Sequence, residues 1–338
     1  YNINTVFMLL NYLVNMFMAL TLLAGFQNTL IGGFAGDALT EGKLNVAVGH
    51  LSLSADTLGG RATALGYGAL ASQNFTSAND NYNTAVGYGA GTAVTTGVEN
   101  TLIGGLAGDA LTDADYNVAL GAGALSADTL GSRSTAIGYL ALFDQNFTSA
   151  TNSNNTAVGY GAGQNVTTGE ANTLIGANAG DALITGNSNT ALGVNALSSD
   201  TLGDRAVAIG VNALNAQNFT SSTDNYNIAV GYNAGLSVTT GAANTLIGGL
   251  AGDAQTTASN TTAVGYNSLG ANTTGIQNTA VGSLALDANT TGDLNVAVGY
   301  QSLGSVVSNG ANTAVGGYAL QANTAANNTA VGYQTLLV

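Results

Sequence analysis

The chain has no cysteine, no proline and no tryptophan, and only one histidine, His50, in 338 residues. Without cysteine it can form neither disulfides nor thiolate metal sites. One histidine leaves no zinc cluster, no nucleophilic triad and no evident acid–base pair. Positive charge is nearly as scarce. Four Lys plus Arg stand against eighteen Asp plus Glu, for a formal net charge of -14, which argues against nucleic acid or an anionic membrane surface as the partner. A fold lacking both cysteine and proline must be held by backbone ladders and packing.

What is present is small and apolar. Hydrophobic residues make up 46% of the chain, and there are 48 glycines. The glycines follow no G-x-y period, which excludes collagen, and the apolar fraction argues against disorder. The core should be thin, built mainly from Ala, Val and Leu.

The stretch NTLIGGLAGDA stands at 100–110 and again at 244–254, with close copies starting at Asn28 and Asn172, so the interval is 72 residues each time. Internal repeats take precedence over local motifs. The underlying unit is N-T-A-V-G-Y, and its glycine recurs eighteen times from Gly32 to Gly332. The steps are 17 residues, except three of 21 (Gly66 to Gly87, Gly138 to Gly159, Gly210 to Gly231) and a last one of 16. Three steps of 17 and one of 21 make the 72-residue superperiod. A dinucleotide loop needs one such turn before a helix, and no helical pattern follows any of these. Seventeen residues suit one coil of an all-β parallel β-solenoid, with two short strands and two turns. The recurring glycine is expected to hold a positive φ that other residues adopt at a cost of about 1–2 kcal/mol. Tyr67, Tyr88, Tyr139 and Tyr160 follow it directly and are expected to cover the turn.

Of the four residues before each glycine, the first is usually Asn and the second Thr, Val or Ile. The third is always Ala or Leu, and the fourth is Val, Ile or Leu. Alternate side chains face opposite ways, so Val207 and Ile209 are expected inside. Ala64, Ala136 and Ala208 then form an outward apolar stripe that packs against another copy of the chain. Thirteen of eighteen second positions are Thr, and a buried hydroxyl without a partner costs roughly 1–3 kcal/mol. The opposite register, with Ala inside and Thr29, Thr84 and Thr101 in an outer row, therefore stays open.

The segments AVAIGVNAL (206–214), STAIGYLAL (134–142) and NTAVGYGAG (83–91) resemble the head repeats of YadA-like trimeric autotransporter adhesins. They are also similar to glycine-rich repeats of tail-fibre-type surface proteins. Val207, Ala208, Ile209 and Gly210 match the family's V-A-I-G, and elsewhere Thr replaces the first Val. The resemblance spans nearly all of 28–338. It implies a left-handed β-roll, a homotrimer, an extracellular or cell-surface location and adhesion. The family unit is nearer 14 residues, and no coiled-coil stalk or anchor barrel follows here.

The 21-residue steps carry SQNFTSANDNYN (72–83), DQNFTSATNSNN (144–155) and AQNFTSSTDNYN (216–227). Asn74, Asn146 and Asn218 begin N-x-T acceptor patterns on what should be exposed loops. Further acceptor patterns begin at Asn154, Asn165, Asn260, Asn272, Asn289 and Asn327. The competing reading makes Phe75, Phe147 and Phe219 hydrophobic clips over the coil edge. Arg61, Arg133 and Arg205 recur just after Asp-Thr-Leu-Gly and suggest register pins. Asp37 with Asp56, and Asp109 with Asp128, are the candidate pairs for Ca²⁺, although the GGxGxD calcium-roll pattern is absent.

Residues 6–24 are apolar and hold all three Met. Their length is near a membrane span, but Asn11 and Asn15 interrupt them and no positive charge flanks them. Residues 1–27 therefore read as a degenerate first coil or joining segment, against a membrane or signal remnant or a wrongly assigned stretch. Residues 28–248 form the superrepeat and 249–338 carry regular coils. The chain starts at Tyr, which suggests a processed product or part of something longer, and ends in mid-motif, which suggests missing residues or end-to-end stacking into a filament. The expected function is a structural subunit of an extracellular fibre or appendage, with adhesion. The rivals are a solenoid face that recognises glycan, ice or another regular lattice, and, least favoured, a solenoid hydrolase or lyase.

Overall fold

The computed structural model describes residues 25–336, so residues 6–24 and their membrane or capping readings lie outside the described residues. The described chain divides into two compact units, residues 25–136 with 146–152, and 137–145 with 153–336. Each is an all-β parallel β-solenoid. In the first, six strands from Thr29–Ile31 to Val118–Leu120 stack in register, with Thr29 beside Val46 and Thr84 beside Thr101. In the second, eleven strands from Thr156–Val158 to Thr329–Val331 do the same. The strand Thr135–Ile137 falls at the division. Among the described residues no helix is long and apolar enough to cross a membrane.

Each coil gives one three-residue strand to the main sheet, where the sequence suggested two short strands, and a second strand, of two residues, occurs only in the coils at the 21-residue steps. The rest of each lap is turn. In the coil of Thr173–Ile175, Gly176 sits at φ +132°, Asn178 at 53°, Gly180 at 55° and Ser188 at 57°. Equivalent left-handed positions recur in the other coils, and they bend the chain too often for a second strand longer than two residues. Gly176 is required twice over. Besides its φ, a Cβ there would lie 2.4 Å from the carbonyl oxygen of Gly193 in the next coil.

The side chains take the opposite register to the one expected. Ala64, Ala136 and Ala208 are completely buried within their own chain, so they form no intersubunit stripe. Val207 and Ile209, predicted inside, point outward and are half-exposed. The lap interior is thin opposite the strand, and its buried valines, Val94, Val166, Val238 and Val306, stand at the seventh position after the glycine. Its far wall already supplies a buried Ala and, in many coils, a buried Leu, such as Ala196 and Leu197. Facing Thr outward also removes the desolvation penalty that burial would have imposed.

Size is matched across this core. Where the strand contributes Leu, as at Leu102, Leu174 and Leu246, the far wall has glycine, at Gly108, Gly180 and Gly252. A Cβ on Gly180 would meet Leu174 Cδ2 at 2.7 Å. Where the strand has Ala191 or Ala208, the wall has Leu197 or Leu214. These leucines are themselves left-handed, at φ 55° and 49°. That conformation costs about 1–2 kcal/mol, and burying the side chain returns about 1.5–3 kcal/mol. The repeated NTLIGGLAGDA is thus the Leu-over-Gly variant of the coil.

Stacking is reinforced by a buried asparagine column at the first motif position. The Asn172 side chain donates to Gly186 O at 2.8 Å and accepts the backbone N–H of Asn189 at 2.9 Å. Asn189 repeats both bonds, to Gly203 O and from Ala206 N–H, each at 2.9 Å. A threonine column adds to this, Thr95 and Thr112 each donating a side-chain hydroxyl to the carbonyl one coil on, at 3.1 and 3.0 Å.

Candidate interaction surface

The 21-residue steps leave the strand register untouched, with Thr63 still beside Thr84 and Val207 beside Ile228. The extra residues leave the lap as an insert that pairs with the preceding coil, Asn79–Asp80 along Gly59–Gly60 and Thr223–Asp224 along Gly203–Asp204. A fully buried aspartate anchors each insert. Asp200 accepts the N–H groups of Gly203 and Phe219, both at 3.1 Å, and the Gln217 side-chain amide at 2.6 Å. Asp56 does the same with Gly59, Phe75 and Gln73. Gln217 in turn accepts from Asn227 at 2.8 Å, which ties the insert to the asparagine column. The column is bridged as well. Ala206 supplies no side-chain acceptor, and Asn225 Oδ1 takes the N–H of Asn227 instead.

Phe75, Phe147 and Phe219 are buried at 4%, 5% and 6% exposure, so they are the hydrophobic clips of the competing reading. Asn74, Asn146 and Asn218 remain exposed beside them. Their Oδ1 atoms accept from the hydroxyls of Thr57, Thr129 and Thr201, at 3.0, 3.1 and 3.0 Å. Two other acceptor patterns fail on burial, because Asn272 and Asn289 lie in the core with their amides bonded inward.

The arginines reach the adjacent coil. Arg61 Nε lies 2.9 Å from Asp80 and its guanidinium covers the Tyr82 ring at 5.6 Å. Arg205 pairs with Asp224 at 2.5 Å and covers Tyr226 at 5.7 Å. Arg133 turns instead to Tyr116, 6.0 Å from its centroid. The acidic partners come from the insert, and the aspartate of Asp-Thr-Leu-Gly points into the core. That orientation also separates the proposed Ca²⁺ pairs. Asp56 spends both oxygens on internal donors while Asp37 is exposed, and Asp109 accepts the Ser126 hydroxyl at 2.5 Å. Among the described residues no three His, Asp or Glu side chains gather as a metal site.

What remains is the outer face of the sheet. It carries two rows, one of Thr with occasional Val or Ile, the other of Val, Ile or Leu, and neither row holds a charge in any coil. The Thr hydroxyls of the strands, such as Thr84, Thr101, Thr262 and Thr279, make no protein hydrogen bond among the described residues, unlike the column threonines. Ile31, Leu65, Leu192 and Ile247 are exposed in the aliphatic row. Alongside runs an aromatic row. Phe34 meets His50 edge to face at 5.8 Å, and His50, Tyr67 and Tyr88 stack in succession with centroids 5.4 and 5.4 Å apart. The tyrosines stand out in solvent instead of covering the turn. Nothing in this arrangement offers a nucleophile beside a base. Comparison with protein-family models, curated proteins and solved structures found no match to the chain.

Proposed function

We propose that the chain is a structural subunit of an extracellular fibre or surface appendage, in which copies associate side by side through the outer sheet face. The supporting observation is the charge distribution. A chain of formal charge -14 keeps every acid and base off a face repeated in eighteen coils. Like-charged copies repel through the rest of their surfaces, so an uncharged aliphatic and Thr face is where approach is least opposed. A homotrimer of the YadA-like or tail-fibre type is the assembly that the V-A-I-G resemblance favours, and it carries the extracellular placement and adhesive role. No catalytic role is proposed. Asn74, Asn146 and Asn218 are the acceptor candidates for sugar, to be read by mass spectrometry of native material.

Sedimentation of the full chain over a range of concentrations tests the assembly. The expected result is a discrete oligomer that dissociates when Ile247→Lys and Val281→Lys are introduced, with β circular dichroism retained. A monomer at every concentration, or an oligomer indifferent to both substitutions, overturns it.

A second reading is favoured by the unbonded Thr hydroxyls at regular spacing, which suit recognition of an ordered lattice such as ice or a crystalline polysaccharide. Val46, Val118, Val207, Ile228 and Val296 interrupt the Thr row. Thermal hysteresis, or co-sedimentation with the insoluble polymer, would select this reading.

A further inference from the structure

The aromatic row has a chemical property that is independent of what the sheet face binds. Tyr67 and Tyr88 lie on adjacent coils with centroids 5.4 Å apart and planes 12° from parallel. Tyr139 and Tyr160 repeat the arrangement at 5.5 Å and 22°. All four rings are exposed. The described residues contain no cysteine, tryptophan or methionine, so tyrosine is the side chain there that gives up an electron most readily. An oxidant that reaches this surface finds no softer target.

We infer that Tyr67 with Tyr88, and Tyr139 with Tyr160, are sites of oxidative cross-linking, joined as dityrosine by a haem peroxidase using hydrogen peroxide. Each phenol loses one electron to the activated enzyme and its hydroxyl proton to water. The two phenoxyl radicals form one carbon–carbon bond between their ortho positions, and each ring regains aromaticity by moving the displaced hydrogen to oxygen. In balance, each tyrosine loses one hydrogen and one peroxide becomes two waters. Stacking on adjacent coils holds the second ring beside the first, so coupling within the chain outpaces a search for a partner in solution. The product staples one coil covalently to the next in a chain that has no disulfide.

The sequence of the rows supplies a control. Tyr232 and Tyr266 are equally exposed, but Gly249 occupies the coil between them. They have no neighbouring ring to couple with.

The test treats the dilute full-length chain with a haem peroxidase and hydrogen peroxide, then maps peptides that have lost two hydrogens per linked pair. Links from Tyr67 to Tyr88 and from Tyr139 to Tyr160 are expected in the band that migrates as a single chain. Tyr88→Phe should abolish the first link and spare the second, and Tyr160→Phe should do the reverse, so each variant reports on its own folding. The proposal is overturned if no links form, if Tyr232 and Tyr266 couple as often, or if Tyr88→Phe leaves the first peptide pair linked through other residues.

Discussion

The correlation between strand leucine and wall glycine allows a quantitative test of the core. Leu174→Ala removes a fully buried side chain whose methyls abut the Cβ positions of Gly180 and Gly163, each at 2.7 Å. Such truncations cost about 2–5 kcal/mol. Gly180→Leu inserts a side chain into filled space, for about 1–3 kcal/mol of overpacking, and adds about 1–2 kcal/mol for a left-handed residue other than glycine. Independent effects would sum to roughly 4–10 kcal/mol. The double variant recreates the Ala-and-Leu arrangement of the next coil, where Ala191 faces Leu197, itself left-handed at φ 55°. It removes the clash and refills most of the void, leaving the backbone cost and a gap above Gly163. A favourable coupling of about 2–3 kcal/mol is therefore expected.

A solenoid opens coil by coil, so global melting would blur this difference. Amide hydrogen exchange resolves it at two reporters. The Thr173 N–H is bonded to Asn189 O and the Gly193 N–H to Ile175 O, each at 2.8 Å. Both should lose protection in each single variant and recover part of it in the double. Opening energies that add to within about 0.5 kcal/mol would refute the size-matching account.

Two further outcomes follow from the buried and half-buried aspartates. Asp200→Asn turns an amide donor toward groups that themselves donate, leaving at least one buried donor unpaired, at about 1–3 kcal/mol; faster exchange of the Phe219 amide and proteolytic cleavage within 219–227 are expected, while the strand amides of the next coils stay protected. Burial holds the carboxyls of Asp181, Asp253 and Asp287 above the ordinary value of 3.8. The folded chain thus binds more protons than the unfolded chain in the interval above 3.8, and stability through these groups rises as pH falls through that interval and is lost as pH climbs. The difference in denaturant midpoint between wild type and the triple Asp→Asn variant should shrink on acidification; a difference independent of pH contradicts the assignment.

The lap length and the coil register were legible because they rest on period alone. Eighteen glycines, mostly 17 residues apart, say where one lap ends, and the 21-residue steps say where the surplus must leave it. The insert was readable as an insert for the same reason. Its anchor was not, because the seventh position after the glycine reads Leu39, Asp56, Gln73 and Val94 in successive coils. A carboxylate in that series looks like surface unless one knows which donors meet it. The first-position asparagines were equally visible as a pattern, and their role needed the carbonyl that closes each lap fourteen residues later.

The inward and outward assignment failed for a physical reason that the sequence also contains. Pleating fixes that the second and fourth positions share a face, but it leaves open which face is covered. The unvarying Ala/Leu position looked like a contact surface because it never turns polar, and an interior satisfies that condition equally well. The deciding signal lies six residues downstream. Every strand Leu at 30, 102, 174 and 246 is followed by Gly at 36, 108, 180 and 252, while most strand alanines are followed by Leu. Two positions that exchange bulk within one lap must share a confined volume, whereas two solvent-facing positions have no reason to do so. Once that volume is assigned to the third position, the Thr and aliphatic rows can only face out. The same step that corrects the core therefore identifies the surface on which function must be sought.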